Sequence, residues 1–238
     1  MSKQKQSLTV PEVMKLLEAQ SNAEVREQRA SKFGITANDS LGLTIKELKE
    51  IARGIEKDNE LALGLFETGV YEARMLLPLL FSPKMVTPEL MDQWVTQFES
   101  WEICDHFCMS FLGQTPYAYA KVSEWIDRES EFERRAGIAL MIGYHFGHKK
   151  APNSDFEAFL PLIETYAFDG RNFVKKALSW ALRTIGKRND DLTERAIACC
   201  ESLLQQDHKS AHWIARDALR EFSKPGFKTQ RYPREVYG

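Results

Sequence analysis

Apolar residues recur at three- and four-residue spacing through most of the chain. Between Ser154 and Ala167, the residues Phe156, Phe159, Leu160, Leu162, Ile163 and Tyr166 form one stripe, the pattern of a helix with one buried face. Helix-start signals precede such stripes again and again. Thr9-Val10-Pro11-Glu12, Thr44-Ile45-Lys46-Glu47, Ser130-Glu131-Phe132-Glu133 and Ser154-Asp155-Phe156-Glu157 all have capping-box spacing, and Thr87-Pro88-Glu89 is a looser start. No run of alternating residues bounded by turn signals demands a strand. The pattern predicts helices near 10–20, 22–32, 44–57, 59–68, 70–81, 88–98, 101–112, 116–127, 131–147, 155–167, 171–187, 190–205 and 209–222. The segment 223–238, with Pro225, Gly226, Pro233 and several basic residues, predicts an irregular basic tail. Short connections make neighbouring helices antiparallel.

The later helices repeat. Phe132, Phe173 and Ile214 are spaced by 41 residues, and Ala136, Ala177 and Ala218 keep that spacing. An apolar residue followed four positions later by Ala, on the same helix face, is what close helix stacking needs. A period of 41 with two helices per unit is the length of a HEAT-type repeat. Each unit leaves an apolar flank for the next. The expected fold is therefore all-α, a HEAT-like α-solenoid of antiparallel helix pairs with a concave face, forming a single domain over residues 1–222.

Composition agrees with a folded chain. The 238 residues are 43% hydrophobic and 28% charged, and mean hydropathy is −0.40. The densest apolar run, Met75 to Phe81, has seven residues and includes Pro78, too few to span a bilayer. The start, MSKQKQSLTVPEV, lacks the apolar stretch of a signal peptide, so the expected location is cytoplasmic. Cys104, Cys108, Cys199 and Cys200 then read as reduced thiols with structural roles. Zinc is the rival reading of Cys104, His106 and Cys108. Alternate positions on a helix diverge by about 200°, so these three do not converge on one metal.

Charge divides unevenly. The net charge is −2, yet residues 1–130 hold 14 basic and 20 acidic residues, against 18 and 14 in residues 131–238. From Arg171 to Arg188 there are six basic residues (Arg171, Lys175, Lys176, Arg183, Lys187 and Arg188) and no acid. A local basic face, more than net charge, decides phosphate contact. The same run also fits a solvated helix surface.

Three places carry candidate chemistry. Trp101 and Asp105 lie one helical turn apart, and an indole beside a carboxylate is a site for a flat cation. A core Trp with Asp105 as a helix-surface acid fits the same spacing. Arg134 and Arg135 stand near the start of the helix predicted over 131–147; one of the pair is expected to turn inward and the other to solvent or Glu131. Trp180 lies within FVKKALSWALRTIGKR, three residues before Arg183, with Lys187 one turn further. An aromatic interleaved with basic residues suits a nucleic-acid backbone and a base, and Trp180 as solenoid core is the alternative.

Helical repeats, W-x-x-x-D on one helix, an Arg two units later and W-A-L-R after paired lysines together resemble the AlkD-type DNA alkylation repair glycosylases. The resemblance spans about residues 10–222 and includes Phe33-Gly34-Ile35. It implies that Trp101 and Asp105 belong to the catalytic groove, that Arg135, with Arg134 as the fallback, is the groove arginine, and that Trp180 is the second groove tryptophan. It places Arg183 and Lys187, with Lys176 and Arg134, where DNA is bound. The implied reaction is hydrolysis of the N-glycosidic bond of purines alkylated at N3 or N7, such as 3-methyladenine and 7-methylguanine, in double-stranded DNA. No metal, nucleotide or redox cofactor and no membrane is implied. The expected protein is a monomer that joins the nucleoid when bound to DNA. A non-catalytic HEAT-repeat protein binding DNA structures or protein partners is the alternative class.

Overall fold

The computed structural model describes residues 5–35 and 39–238. Residues 1–4 and 36–38 and the side chain of Phe33, part of the segment that carries the resemblance, lie outside the described residues. Gly34 closes its helix in the left-handed region at φ 66°, and Ile35 is buried.

The described residues form helices, with one isolated parallel bridge between Gln6 and Ile55. The helices are α1 (Val10–Glu18), α2 (Ala23–Phe33), α3 (Ile45–Arg53), α4 (Asn59–Glu67), α5 (Tyr71–Leu80), α6 (Pro88–Val95), α7 (Trp101–Ser110) and α8 (Ala118–Ile126). They continue as α9 (Glu131–Gly147), α10 (Asn153–Glu157), α11 (Leu160–Tyr166), α12 (Asn172–Gly186), α13 (Asp190–Gln205), α14 (Lys209–Phe222) and α15 (Arg234–Tyr237).

Local sequence explains most boundaries. The Glu12 carboxylate accepts from the Thr9 N–H at 2.8 Å, and Glu47 accepts from the Thr44 N–H at 2.7 Å, so these two capping boxes form. The other two do not. Glu133 binds Arg128 at 2.8 Å instead of reaching back to Ser130, and Ser154 lies inside α10. The helix expected over 155–167 is two short ones, because Pro161 has no N–H and begins a new helix as the second residue of α11. The helix expected over 44–57 stops at Arg53, where the chain turns to pair with Gln6; the Gln6 N–H donates to Gly54 O at 2.9 Å.

The chain divides into two compact units, Met1–Thr87 with Glu99–Phe107, and Pro88–Phe98 with Cys108–Gly238. In unit 1, α5 is buried along nearly its whole length, and Glu72 on it is fully buried. Its carboxylate accepts from Arg29 Nη1 at 2.8 Å, Ser40 Oγ at 2.8 Å, and the N–H groups of Leu41, Gly42 and Leu43 at 2.7, 2.9 and 3.2 Å. That satisfaction is what a buried carboxylate requires. Gly42 lets the loop approach: it has φ +83°, and a Cβ there would lie 2.0 Å from Asn22 O.

In unit 2 the 41-residue register has a direct meaning. The residues Ala136, Ala177 and Ala218 are fully buried on α9, α12 and α14, and α12 packs against both α9 and α14. The rings of Phe132 and Phe173 pack against each other with centroids 5.6 Å apart and planes tilted by 35°. Asp92 on α6 accepts from Lys121 Nζ at 2.7 Å, Trp125 Nε1 at 2.8 Å and Arg128 Nη2 at 2.6 Å, which ties α6 to α8. The tail is largely irregular but held: Gln230 N–H donates to Lys187 O at 2.8 Å and Tyr232 N–H to Arg188 O at 2.9 Å.

Replacing Glu72 by Ala strands the buried Arg29 and three backbone N–H groups. We expect a loss of about 3–5 kcal/mol, read as a lower urea midpoint; an unchanged midpoint would contradict the role of this carboxylate. Burial also lowers His106 and His145 to about 4 from an ordinary 6.5, against the raising effect of their hydrogen bonds to Met75 O and Gln230. Both folded values lie below the unfolded one, so their contribution is present above pH 6.5 and lost as pH falls towards 4. The urea midpoint should therefore drop on acidification through this window. His145→Gln, which keeps a donor towards Gln230, should reduce that drop; a variant as acid-sensitive as the wild type would refute it.

Candidate nucleic-acid interface

The first half of α7 belongs to unit 1. Ile103, Cys104 and Phe107 on it are fully buried, whereas Trp101, Glu102 and Asp105 are half-buried. The helix is locked from its start. Ser100 Oγ accepts from the Ile103 N–H at 3.3 Å and sits 2.9 Å from the Tyr71 hydroxyl. Tyr71 donates to Glu102 at 3.0 Å, and the Arg29 Nε lies 3.3 Å from the same carboxylate. His106 Nε2 donates to Met75 O at 3.0 Å. Neutral, buried and committed to a carbonyl, His106 is an anchor for the helix. These contacts fix the rotation of α7, so Trp101 and Asp105 share its partly open face, one turn apart.

The cysteines are core residues. Cys104, Cys108 and Cys200 are fully buried, and Cys199 nearly so. Burial pushes the Cys200 thiol up to about 12 and raises Cys199 as well, which makes them poor nucleophiles.

The remaining predicted site residues lie in unit 2. Arg135 is 6% exposed, and its guanidinium donates to the carbonyl of Phe173 at the start of α12. Arg134 does not face solvent either. Its Nε donates to Ile126 O at 2.9 Å, its Nη1 to Asp169 at 2.7 Å, and it lies over the Tyr166 ring at 5.1 Å. Burial by itself would raise the Asp169 carboxyl, but hydrogen bonds from Arg171 and Arg134 hold it at about 2. Arginine 171 is thereby folded back onto its own turn.

On α12, Trp180 is half-buried and Lys176 is exposed. Arg183 and Lys187 are partly covered, each facing a carboxylate of α14: Arg183 Nε lies 3.5 Å from Asp217, and Lys187 pairs with Glu221. The hydrogen bonds from Lys187 and Lys224 pull Glu221 down to about 2. Arg188 departs most from the solvated basic face that the sequence predicts, because it is completely buried. Its Nη2 donates to Lys149 O and Ala151 O at 2.8 Å each and to His148 O at 3.3 Å. Its guanidinium stacks 4.1 Å from the Phe156 ring centroid, and burial lowers it to about 10. Of the basic residues in the acid-free run, Lys176 is the exposed one, one turn before Trp180.

Sequence reading passed over Trp213. It stands 37% exposed on α14, and Lys175 Nζ lies 4.9 Å from its ring centroid. A Trp immediately before the register position Ile214 was the available signal. Lys175 over Trp213, and Lys176 one turn before Trp180, give the α12–α14 pair aromatic and basic side chains, the combination that meets bases and phosphates.

Comparisons with known proteins bear on the fold and the family. A solved structure described as belonging to "a new family of proteins related to the HEAT-like repeat DNA glycosylases with affinity for branched DNA structures" superposes with a TM-score of 0.72. It covers 94% of this chain and 98% of its own at 20% identity, a likeness of fold. Uncharacterized proteins of Listeria innocua and Listeria monocytogenes are 27% and 23% identical over 168 residues, which is 69% of this chain and 73% of theirs. The family model of the DNA alkylation repair enzymes matches residues 13–222. With that match over most of its length and a HEAT-like all-helical fold, the chain belongs to the DNA alkylation repair enzyme family.

Proposed function

We propose that the protein is a DNA glycosylase that hydrolyses the N-glycosidic bond of purines alkylated at N3 or N7. The observation that carries this reading is the Trp101–Asp105 pair, half-buried and one turn apart on a helix held by Ser100, Glu102 and His106. An alkylated purine already bears positive charge and leaves without protonation. Positive charge then grows on the deoxyribose as the bond breaks. Asp105 stabilises that charge and orients or deprotonates the attacking water. Trp101 holds the cationic base or its sugar by cation–π and CH–π contact. From unit 2, Trp180 and Lys176 contact the DNA. Arg183 and Lys187 contribute less, since each already faces a carboxylate. Arg135 and Arg134 act as positioning residues that set the starts of α9 and α12 through Phe173 O and Asp169.

A second reading is that the protein binds branched DNA without excising a base. It is favoured by the affinity described for the structural neighbour and by the burial of Arg135 in packing. Single-turnover release of free 7-methylguanine from a duplex separates the two. No release from the wild type, together with tighter binding of a four-way junction than of linear duplex, would favour the second reading.

Asp105→Asn keeps the shape of the side chain and removes its charge where the transition state is most positive. Excision should fall about 100- to 1000-fold with DNA affinity largely kept; wild-type excision by the variant would refute the catalytic role.

Phosphate contacts should rank by freedom from carboxylates. Lys176→Ala should flatten the dependence of log affinity on log salt by about 0.9. Lys187→Ala should flatten it less, because Glu221 competes for that ammonium. Equal slopes for wild type and Lys176→Ala would move the interface away from this face of α12.

A further inference from the structure

Towards the C-terminal end of α12, the loop after α9 and the C-terminal tail border an open cavity of about 280 Å³ lined by Lys149, Lys150, Tyr232, Arg234 and Glu235. We propose that this cavity is a phosphate-binding site, distinct from the Lys176 face. Lys176 lies ten residues, a rise of about 15 Å, before Gly186, where α12 ends just ahead of the Arg188 turn that holds Lys149 O.

Charge around the cavity is one-sided. Lys149 Nζ lies 5.6 Å from the centroid of the Tyr232 ring, and the guanidinium carbons of Arg234 and Arg188 lie at 5.4 and 5.8 Å. Three cations surround one aromatic ring. Glu235 is the single carboxylate of the lining, and Lys150 Nζ holds it at 3.0 Å. The remaining cations are therefore not neutralised by the lining. Arg188 adds a buried positive charge that forms no ion pair among the described residues, and its Nε and Nη1 have no hydrogen-bond partner. Its charge is screened by protein instead of water and is partly offset by the Asp155 carboxylate.

The walls are also built in place. Asn189 Nδ2 donates to Tyr232 O at 2.6 Å and to Asn153 Oδ1 at 2.8 Å, and Asn153 Nδ2 donates to the Tyr237 hydroxyl at 2.8 Å. Arg188 fastens Lys149 O from below, so both sides of the cavity hang on one buried turn. A phosphate group meets these conditions. It carries more negative charge than a carboxylate, accepts the fork of Arg234 and the point charges of the lysines, and fits the volume. The group comes either from a DNA backbone or from a free phosphate compound.

The test uses the full chain with inorganic pyrophosphate and with a short DNA duplex as probes. The variants are Lys149→Gln with Arg234→Gln, and Lys150→Gln alone in case the double variant fails to fold. Lys46→Gln, an exposed lysine in unit 1, is the control. Calorimetric titration should show pyrophosphate binding weakened by about tenfold or more in the double variant, weakened to a smaller extent in Lys150→Gln, and unchanged in the control. If the salt slope for the duplex also falls, by about 1.8 for two lost contacts, the phosphate is that of a DNA backbone. If pyrophosphate binding alone weakens, the ligand is a free phosphate compound. If the folded variants match the wild type in both measurements, the proposal is overturned. Base excision by the same proteins is scored separately, so failure of the glycosylase reading leaves this result standing.

Discussion

Stacking α9, α12 and α14 brings the ends of neighbouring helices together, and the carbonyl groups there need donors that water no longer supplies. Side chains from the adjoining repeat supply them. Arg188 donates to carbonyls 37–40 residues back, and Arg135 adds a second donor to the first-turn carbonyl of Phe173, 38 residues on. Gln206 donates to Glu164 O and Ser210 to Ala167 O, 42 and 43 residues back. The apolar register fixes how close the helices come, and these bonds fix how far each slides along the next. A hydrogen bond of this kind contributes about 1 kcal/mol when made, but leaving the carbonyl buried without one costs more. That asymmetry makes the ladder a constraint on the whole unit.

The ladder consumes cations, and this reshapes the functional surface. Arg134, Arg135, Arg171 and Arg188 are committed to carbonyls or to Asp169. Lys187 and Arg183 face Glu221 and Asp217. Lys175 remains over Trp213 and Lys176 one turn before Trp180, and Lys149 and Arg234 gather around Tyr232. A chain of net charge −2 can therefore present separate basic patches without a uniformly basic face.

Unit 1 solves a similar problem with the opposite sign. A buried carboxylate, Glu72, gathers the N–H groups of a loop and the guanidinium of Arg29, and Arg29 in turn reaches Glu102 on α7. The rotation of the helix that carries Trp101 and Asp105 thus depends on a charge network that enters α7 at Glu102. A functional pair on a helix fixed in this way starts near its working geometry, which is where preorganised electrostatics is effective.

Periodicity within a helix and along the repeat was legible from the sequence. The 3.6-residue stripe predicted the helices, the 41-residue spacing of Phe132, Phe173 and Ile214 predicted which of them stack, and W-x-x-x-D set Trp101 and Asp105 on one face. Thr9 and Thr44 announced their own capping boxes. These features depend on neighbours within one turn, so the chain specifies them locally. The fate of each charge does not. Ser130 lost its box to an Arg128–Glu133 bond, and Arg188 left the basic face for the core. Arg29 found Glu72, 43 residues away. Those partners come within reach only after the helices stack, when desolvation decides which cations are buried against carbonyls and which stay in water. Only the tertiary structure could make that choice.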